Sequence, residues 1–371
     1  MPVRITIPSA ERERYTATPW PEVSPTHGPH GASRGLRIGL MNNMPDGALE
    51  ATERQFVALL ELASAGIRID LSFYSLTGVP RSGEAAARIR DCYSSSETLW
   101  NSGLDALIVT GREPLAPSLP EEPYWESFAR VVDWARDNTY ATVWSCLAAH
   151  AAVLYQDGIQ RVRGHRKYCG VFSCEQTGDH LLTANLPPRV KVPHSRWNGV
   201  SEDALSTHGY QVLMQSAEAG VDTFVKQHRS LFVYLQGHPE YESTTLLLEY
   251  RRDVTRYLRG ESAAYPTLPE NYFSPETHKD LHEFQQRAVA KSESDLAGDL
   301  SGILARAQID GAWHATAATL YRNLLHSICD RKAHHLLTAG AALPEEGAGH
   351  VIQTRADGRQ SLPEWNAELR T

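Results

Sequence analysis

Short apolar runs alternate with longer segments whose apolar residues recur at helical spacing between residues 37 and 258. The short runs have the length and composition of strands, and the longer ones have the periodicity of amphipathic helices. The predicted strands cover residues 37–41, 67–73, 104–109, 141–144, 211–214, 221–225 and 231–235. The predicted helices cover residues 49–65, 125–137, 147–154 and 243–258.

Strands separated by helices predict an α/β fold with a mostly parallel sheet that carries helices on both faces. In such a sheet, ligands bind at the carboxyl ends of the strands. Thr110-Gly111 and Cys146 both follow predicted strands at such ends. We therefore expect the functional site to lie near these positions.

The pattern changes towards both ends of the chain. Residues 1–35 are predicted to be an extended leader, because residues 15–35 are rich in Pro, Gly, Ser and His. Residues 36–340 are predicted to form the folded domain, with C-terminal helices at 278–304 and 313–337. Within it, residues 260–310 resemble an insertion, and residues 341–371 are predicted to be a mobile tail.

Composition then narrows the class of protein. The chain has 371 residues, of which 42% are hydrophobic and 22% charged, as in a soluble globular protein. Its formal net charge is -8 and it contains no long basic run, so we expect no nucleic-acid partner. No segment approaches the ~18 apolar residues that a membrane span requires, so we expect no membrane association and a cytoplasmic location.

The cysteines are five in number, which argues against a disulfide framework and for reduced thiols. Cys169 and Cys174 could form a metal site with His165 or His180, but their spacing lacks a paired Cys-x-x-Cys partner. We therefore predict core thiols and no metal.

Cys146 stands out because it lies directly between an apolar strand and an apolar helix. Small residues follow it at Ala148 and Ala149, which is typical of a nucleophile elbow. At a helix N-terminus the backbone N–H groups and the helix dipole favour a thiolate, and the Leu147 N–H is the nearest donor for an oxyanion. A buried structural cysteine is the alternative interpretation of this position.

Gly237-His238-Pro239-Glu240 follows the last predicted strand and supplies an imidazole and a carboxylate two residues apart. His238 can accept the thiol proton and Glu240 can fix its tautomer. The alternative is a loop histidine beside a solvated carboxylate. Together with Cys146, these residues predict a catalytic triad.

Five motifs in order resemble the homoserine O-acyltransferases of the homoserine transsuccinylase family. They are the Cys146 elbow, residues 166–171, residues 193–196, residues 237–241 and residues 249–254. The resemblance runs from about residue 37 to residue 254 and returns weakly in the helix that starts at Trp313.

The resemblance implies a flavodoxin-like, class I glutamine-amidotransferase-like fold and a ping-pong reaction in methionine biosynthesis. An acyl-CoA would acylate Cys146, and the hydroxyl of L-homoserine would then take the acyl group. His238 would be the general base, with Glu240 orienting it. Lys167, Ser195 and Arg252 fall where the family binds homoserine, and Arg252 can hold an α-carboxylate. The family also implies a homodimer and no cofactor beyond the acyl-CoA co-substrate.

The chain departs from the family pattern at three places. Residues 42–50 lack the Lys pair that usually follows Pro45, and His150 replaces a usual Gln. At the position associated with acyl-group choice the family has Glu for acetyl or Gly for succinyl, whereas this chain has Leu115. An uncharged Leu115 would not repel a succinyl carboxylate, and Arg112 could pair with it, so we predict succinyl-CoA as the donor.

Several other interpretations stay open at this point. Acetyl-CoA is the alternative donor, since Glu113 lies near the same position, and serine is an alternative acceptor. A glutamine amidotransferase or a related cysteine hydrolase would use the same triad. A non-catalytic module that binds a metabolite would keep the fold without the chemistry.

Overall fold

The computed structural model describes most of the chain. The described residues are 2–6, 35–290, 296–309 and 311–341. Most of the predicted leader and the predicted tail beyond residue 341 lie outside them. Within the leader, residues 3–6 form a strand that pairs in parallel with residues 69–72 of the sheet, because Val3 and Ile5 alternate with polar residues.

One mixed sheet of ten strands organises the described residues. Its strands are β1 (Val3–Thr6), β2 (Leu36–Met41), β3 (Ile69–Tyr74), β4 (Ala106–Thr110), β5 (Ala141–Ser145), β6 (Val162–Gln176), β7 (Arg189–Gly199), β8 (Gln211–Ser216), β9 (Gly220–Gln227) and β10 (Leu231–Leu235). Their order across the sheet is β1-β3-β2-β4-β5-β10-β9-β8-β6-β7.

The first six strands in that order are parallel to one another. When β2 is counted as the first strand, the segment β3-β2-β4-β5-β10 has the 2-1-3-4-5 order of flavodoxin-like folds. Its central strands β4 and β5 are buried along their whole length. The predicted mostly parallel, flavodoxin-like sheet is thereby confirmed.

The remaining strands pair in an antiparallel manner from β10 to β7. The longest of them, β6 and β7, form a hairpin at the edge of the sheet that the sequence pattern did not predict. Charged and polar residues interrupt these strands, and a third of the β6 residues are exposed, so their apolar alternation is weak. This hairpin carries two of the predicted substrate residues, Lys167 and Ser195.

Ten helices are described. They are α1 (Leu49–Ala63), α2 (Gly83–Cys92), α3 (Ser96–Leu99), α4 (Trp125–Asn138), α5 (Leu147–Asp157), α6 (Glu202–Thr207), α7 (Thr245–Leu258), α8 (Pro275–Ala290), α9 (Leu296–Ala305) and α10 (His314–Ala341). Apolar residues of α1 and α10 pack in one core cluster with the sheet, and those of α4 and α5 pack in a second. The two clusters confirm that helices cover the sheet on both faces.

The region predicted as an insertion folds against α7. Helices α8 and α9 form a small core with it, built around Val254, Leu281 and Phe284. Contacts divide the chain into residues 1–333 and residues 334–371, and the described part of the second unit is helical. No helix among the described residues is long and apolar enough to cross a membrane.

Candidate active site

Cys146 occupies a strained turn between β5 and α5. Its φ of 53° and ψ of -114° lie in a region that residues other than glycine rarely adopt. The strand before it is fully buried, and the helix after it begins with small residues that pack closely on the sheet. The sharp turn therefore holds the thiol at the carboxyl edge of the sheet, in the geometry of a nucleophile elbow.

Strand pairing brings His238 to this thiol. β5 and β10 are parallel neighbours with Ser145 opposite Leu235, and the Cys146 N–H donates to the Leu235 carbonyl at 2.7 Å. Residues that follow the two strands consequently meet at the same edge. The His238 imidazole lies close enough to interact with Cys146, and its Nδ1 lies 2.9 Å from Glu240 Oε1.

The environment of His238 favours its protonated form. Burial disfavours the imidazolium, but the charges of Cys146 and Glu240 and their hydrogen bonds outweigh this and raise the pKa of His238 well above its ordinary value. Glu240 is itself buried, and its Oε2 has no hydrogen-bond partner among the described residues. The arrangement can hold a proton on the imidazole beside the Cys146 sulfur.

The first turn of α5 lies next to Cys146 and leaves its N–H groups without helical acceptors. Gly111, after β4, passes so close that a Cβ there would lie 2.5 Å from Leu147 Cβ and 2.8 Å from Leu147 N. Glycine is thus required for the β4 loop to approach the start of the helix. The Leu147 N–H, the predicted oxyanion donor, lies at this junction.

His150, the departure from the family's usual Gln, connects α5 with the end of β10. Its Nε2 lies 2.8 Å from Oε1 of Gln236, which immediately follows β10. Burial lowers the pKa of His150 to about 4, despite an opposing contribution from the Gln236 hydrogen bond. The side chain is therefore neutral at physiological pH and links α5 to the end of β10.

The three predicted homoserine residues lie around two carboxylates of α7. Ser195 donates to Glu249 Oε2 at 2.7 Å, and Lys167 Nζ lies 3.7 Å from Asp253 Oδ2. Arg252 donates from Nε to Asp253 Oδ1 at 2.8 Å, and just over half of its side chain is exposed. The structure thus brings Lys167, Ser195 and Arg252 into one cluster.

Sequence reasoning assigned no role to Tyr241 and Glu249. The Tyr241 ring stacks on the His238 imidazole with centroids 4.2 Å apart, and its hydroxyl donates to Glu249 Oε1 at 2.7 Å. These two residues connect the triad to the Ser195 cluster. Both lie inside motifs that carry the family resemblance, and the i, i+3, i+4 spacing of residues 249, 252 and 253 on a helix places them on one face.

The predicted acyl-selective residues lie in the loop after β4. Glu122 Oε1 accepts hydrogen bonds from the N–H groups of Leu115 and Ala116 at 2.7 and 2.9 Å, while the Leu115 side chain is 54% exposed. Arg112 donates to the Glu113 carbonyl at 3.3 Å, and its Nη1 is buried without a hydrogen-bond partner among the described residues. A buried unpaired guanidinium N–H suits an anionic ligand group.

Arg81 lies beside the loop that lacks the family's Lys pair. Its guanidinium donates to the carbonyls of Met44 and Asn42 and pairs with Asp46 at 3.4 Å. Burial lowers the pKa of Arg81, and the positive charge of Arg112 contributes in the same direction. Two guanidinium groups therefore influence each other at this edge of the sheet.

Cys169 and Cys174 are both buried, as predicted for core thiols. Burial raises the pKa of Cys169 to about 11 and also raises the pKa of Cys174. Cys174 lies with His194 and Asp222 rather than with His165 or His180, and one ligand-type atom from each lies within 4.8 Å of the others. All three residues are buried beneath the candidate active site.

Comparisons with known proteins agree with the site. The family model described as homoserine O-succinyltransferase matches residues 5–334. A homoserine O-succinyltransferase of Rhodopseudomonas palustris is 46% identical over 297 residues, which cover 80% of this chain and 89% of the relative. One of Bradyrhizobium japonicum is 44% identical over 314 residues, covering 83% and 96%.

Solved structures of glutamine amidotransferases are less similar to this chain in sequence. A glutamine amidotransferase of Thermotoga maritima is 13% identical with a TM-score of 0.42, covering 80% of this chain and 99% of that one. The sequence relatives and the family model, which extend over most of the chain, settle the assignment. The chain belongs to the homoserine O-succinyltransferase family.

Proposed function

We propose that this protein transfers a succinyl group from succinyl-CoA to the hydroxyl of L-homoserine, through a thioester on Cys146, in methionine biosynthesis. Family membership supports the substrates. The observation that carries the proposal is the strained Cys146 elbow at the sheet edge beside the hydrogen-bonded His238–Glu240 pair. A non-catalytic module would have no need of this strain.

In the first half-reaction the Cys146 sulfur attacks the thioester carbonyl of succinyl-CoA. The new C–S bond forms as the carbonyl becomes an oxyanion, which the N–H groups at the start of α5, led by Leu147, stabilise. The bond to the CoA sulfur then breaks, and His238 donates a proton to that sulfur. Succinyl-Cys146 and free CoA result.

In the second half-reaction the homoserine hydroxyl attacks succinyl-Cys146. His238, now neutral, takes the hydroxyl proton, and its pairing with Glu240 stabilises the resulting imidazolium. Lys167, Ser195 and Arg252 hold the amino acid, with Arg252 directed to its α-carboxylate. The C–S bond breaks, and O-succinylhomoserine leaves.

The choice of donor rests on the charges after β4. Arg112 offers a buried unpaired N–H, whereas the Leu115 side chain carries no charge and Arg81 is already paired with Asp46. This field attracts the distal carboxylate of a succinyl group and gives an acetyl group no advantage. We therefore assign acyl selectivity to Arg112 and Leu115.

The acylation test uses intact mass spectrometry after incubation with succinyl-CoA. We expect a succinyl adduct on the wild-type chain that disappears in Cys146→Ala and is discharged by homoserine. The control variant Cys92→Ala should keep the adduct. An amidotransferase-type hydrolase or a binding module would show no adduct that homoserine discharges.

The donor test compares kcat/KM for succinyl-CoA and acetyl-CoA. We expect succinyl-CoA to be preferred in the wild type, and Arg112→Ala to lower its kcat/KM by about tenfold or more, because hydrogen bonds to charged groups contribute ~1.5–3 kcal/mol. The exposed Arg90→Ala serves as the control. A wild-type kcat/KM for acetyl-CoA equal to or above that for succinyl-CoA would instead assign the acetyl donor.

Three further parts of the proposal concern context. We propose a homodimer in the cytoplasm. Analytical sedimentation tests the dimer, and cell fractionation tests the location.

We propose no cofactor besides the acyl-CoA co-substrate. The test is whether the protein stays active after metal ions and small molecules are removed by dialysis. We propose homoserine over serine as acceptor, because one methylene contributes ~1–3 kcal/mol of discrimination.

A further inference from the structure

Three charged or ionisable side chains are buried directly behind the catalytic histidine. Arg196 and His194 lie on β7, and Asp222 lies on β9, and each is at most 5% exposed. Side chains two residues apart on a strand share a face, so His194 and Arg196 point into the core while Ser195 between them faces α7. We call Arg196, His194 and Asp222 the buried relay.

Arg196 determines the tautomer of His194. Its Nε–H donates to His194 Nδ1 at 3.1 Å, so this nitrogen must be unprotonated. Burial, then the positive charge of Arg196, lowers the pKa of His194 well below its ordinary value. His194 is thus neutral, with its proton on Nε2, which lies 3.3 Å from Asp222 Oδ1 without meeting hydrogen-bond geometry.

Asp222 holds the backbone that leads into His238. Its Oδ1 accepts the Gly237 N–H at 3.0 Å, and its main-chain carbonyl accepts the Gln236 N–H at 2.9 Å. A Cβ at Gly237 would lie 2.7 Å from Asp222 Oδ1, so glycine is required for this close approach. The His238 N–H in turn donates to the Pro193 carbonyl of β7 at 2.8 Å.

The relay also places a guanidinium group and a carboxyl group beneath the reacting pair. Arg196 gives its remaining N–H groups to the carbonyls of Asn198 and Ala219 at 2.6 and 2.5 Å, which keeps its charge in the core. Burying such groups is weak evidence for a stabilising role, because desolvation offsets much of the attraction between them. Their location suggests a role in the chemistry instead.

We infer that Arg196, His194 and Asp222 are positioning residues that hold the Gly237–His238 backbone and stabilise Cys146 and His238 as a thiolate–imidazolium pair. The inference rests on the triad of the proposed function. Arg196 favours a negative charge on Cys146. Burial raises the pKa of Asp222, but Arg196 and the Gly237 N–H act against this rise, and an ionised Asp222 favours the positive charge of His238.

Other groups around His238 act on the same equilibrium. Cys146 and Glu240 face the imidazole, Tyr241 stacks on it, and the neutral His194 lies behind it. Variants at Arg196 and Asp222 keep Cys146, Glu240 and Tyr241, whereas Arg196→Met also removes the N–H that fixes the His194 tautomer. A change in pH dependence can therefore be attributed to the relay as a unit.

A metal ion is the competing occupant of this place, since Cys174, His194 and Asp222 have the right ligand types. A metal on His194 Nε2 would move the ring proton to Nδ1, where it would face the Arg196 N–H. The guanidinium would also repel a cation nearby. The tautomer set by Arg196 therefore favours the relay over a metal site.

The test measures the rate of Cys146 acylation by succinyl-CoA against pH, which should follow a bell-shaped curve. Arg196→Met should move the acidic limb to higher pH, because the thiolate loses a positive neighbour. Asp222→Asn should move the alkaline limb to lower pH, because the imidazolium loses a negative neighbour. Each should lower the maximal rate by roughly 10- to 100-fold, as misplacement of a catalytic group does.

Matched variants separate this role from a structural one. Arg196→Lys keeps the positive charge, so its acidic limb should lie closer to the wild-type position than that of Arg196→Met. Ser230→Ala removes a buried 2.8 Å hydrogen bond to Thr139 at the opposite end of β10 and should leave both limbs unchanged. If either charge variant fails to fold, the double variant Asp222→Asn/Arg196→Met removes both charges together and should show a narrowed curve.

The outcomes that overturn the inference are distinct from failure of the triad. Folded relay variants with the wild-type curve would overturn the relay. One bound zinc per wild-type chain, lost with activity on chelation, would assign the place to a metal. Failure of the triad itself would already appear in the wild type. The rate at which iodoacetamide alkylates Cys146 would then depend on pH as it does for an ordinary thiol.

Discussion

A single backbone conformation separates Cys146 from the other four cysteines. Cys92, Cys169 and Cys174 are buried, and burial raises the pKa of the last two. Cys146 is partly exposed at positive φ, at a helix N-terminus and within reach of His238. Reactivity at this residue therefore depends on position and not on residue type.

The orienting role of Glu240 yields a prediction at the residue scale. Glu240→Gln keeps an acceptor for His238 Nδ1 but removes the charge that helps to raise the pKa of His238. We expect kcat to fall by about 10²-fold or more, since positioned acid–base groups contribute typically 10²–10⁴-fold. Steady-state kinetics measure this, and a kcat within twofold of the wild type would contradict it.

Tyr241 gives a second residue-scale prediction, because its ring and its hydroxyl have different partners. Tyr241→Phe keeps the stacking on His238 and removes the hydrogen bond to Glu249. We expect a higher KM for homoserine and nearly unchanged acylation of Cys146 by succinyl-CoA. Tyr155→Phe, which removes a hydrogen bond to Asp133 on the surface, should change neither. A slower acylation step in Tyr241→Phe would contradict this division.

At the scale of elements, one glycine of the β6–β7 hairpin helps to position the cluster of Lys167, Ser195 and Arg252. Gly170 has φ +143°, and a Cβ there would lie 2.2 Å from the Glu270 carbonyl oxygen. The segment around Glu270 adds hydrogen bonds to the backbone of Cys169 and Val171 and an ion pair with Arg166. The predicted insertion therefore supports the strand that carries Lys167.

Gly170→Ala tests this support. Because the left-handed conformation and the clash both oppose a side chain, we expect the free energy of unfolding to fall by more than about 1 kcal/mol. The KM for homoserine should rise as β6 shifts. Gly178→Ala, where a Cβ would meet nothing within 4 Å, is the control. Urea unfolding with unchanged stability in Gly170→Ala would contradict the prediction.

At the scale of the whole molecule, the link between α5 and β10 makes stability depend on pH. The folded-state pKa of His150 is about 4, against an unfolded value of about 6.5. Between these values the unfolded chain binds more protons than the folded one, so stability falls as pH decreases through this window. Cys146 and His238 lie at the two elements that this link joins.

His150→Gln removes that titration while keeping a hydrogen-bonding group near Gln236. We expect the stability of the wild type relative to this variant to decrease from pH 6.5 towards pH 4, by at most about 1.4 kcal/mol per pH unit. Urea unfolding at several pH values measures it. Parallel stability curves for the two proteins would show that His150 does not titrate in this way.

How far the sequence pattern predicts the fold differs between the two halves of the sheet. β4, β5 and β10 are continuous apolar runs, because they are buried on both sides, and their positions were predicted within two residues. β6 and β7 were not predicted, since their side chains are divided between the core, the cluster around Ser195 and solvent. An edge hairpin with a functional face loses the regular period on which prediction depends.

The sequence by itself determined the α/β class, the Cys146 elbow and the triad candidates, because each depends on local order along the chain. Only the tertiary structure revealed that Ser145 and Leu235 are paired, and hence that Cys146 and His238 meet. It also revealed the Glu249 cluster and the buried relay, whose members come from different strands and helices. Such groupings depend on sheet order and register, which a local pattern does not encode.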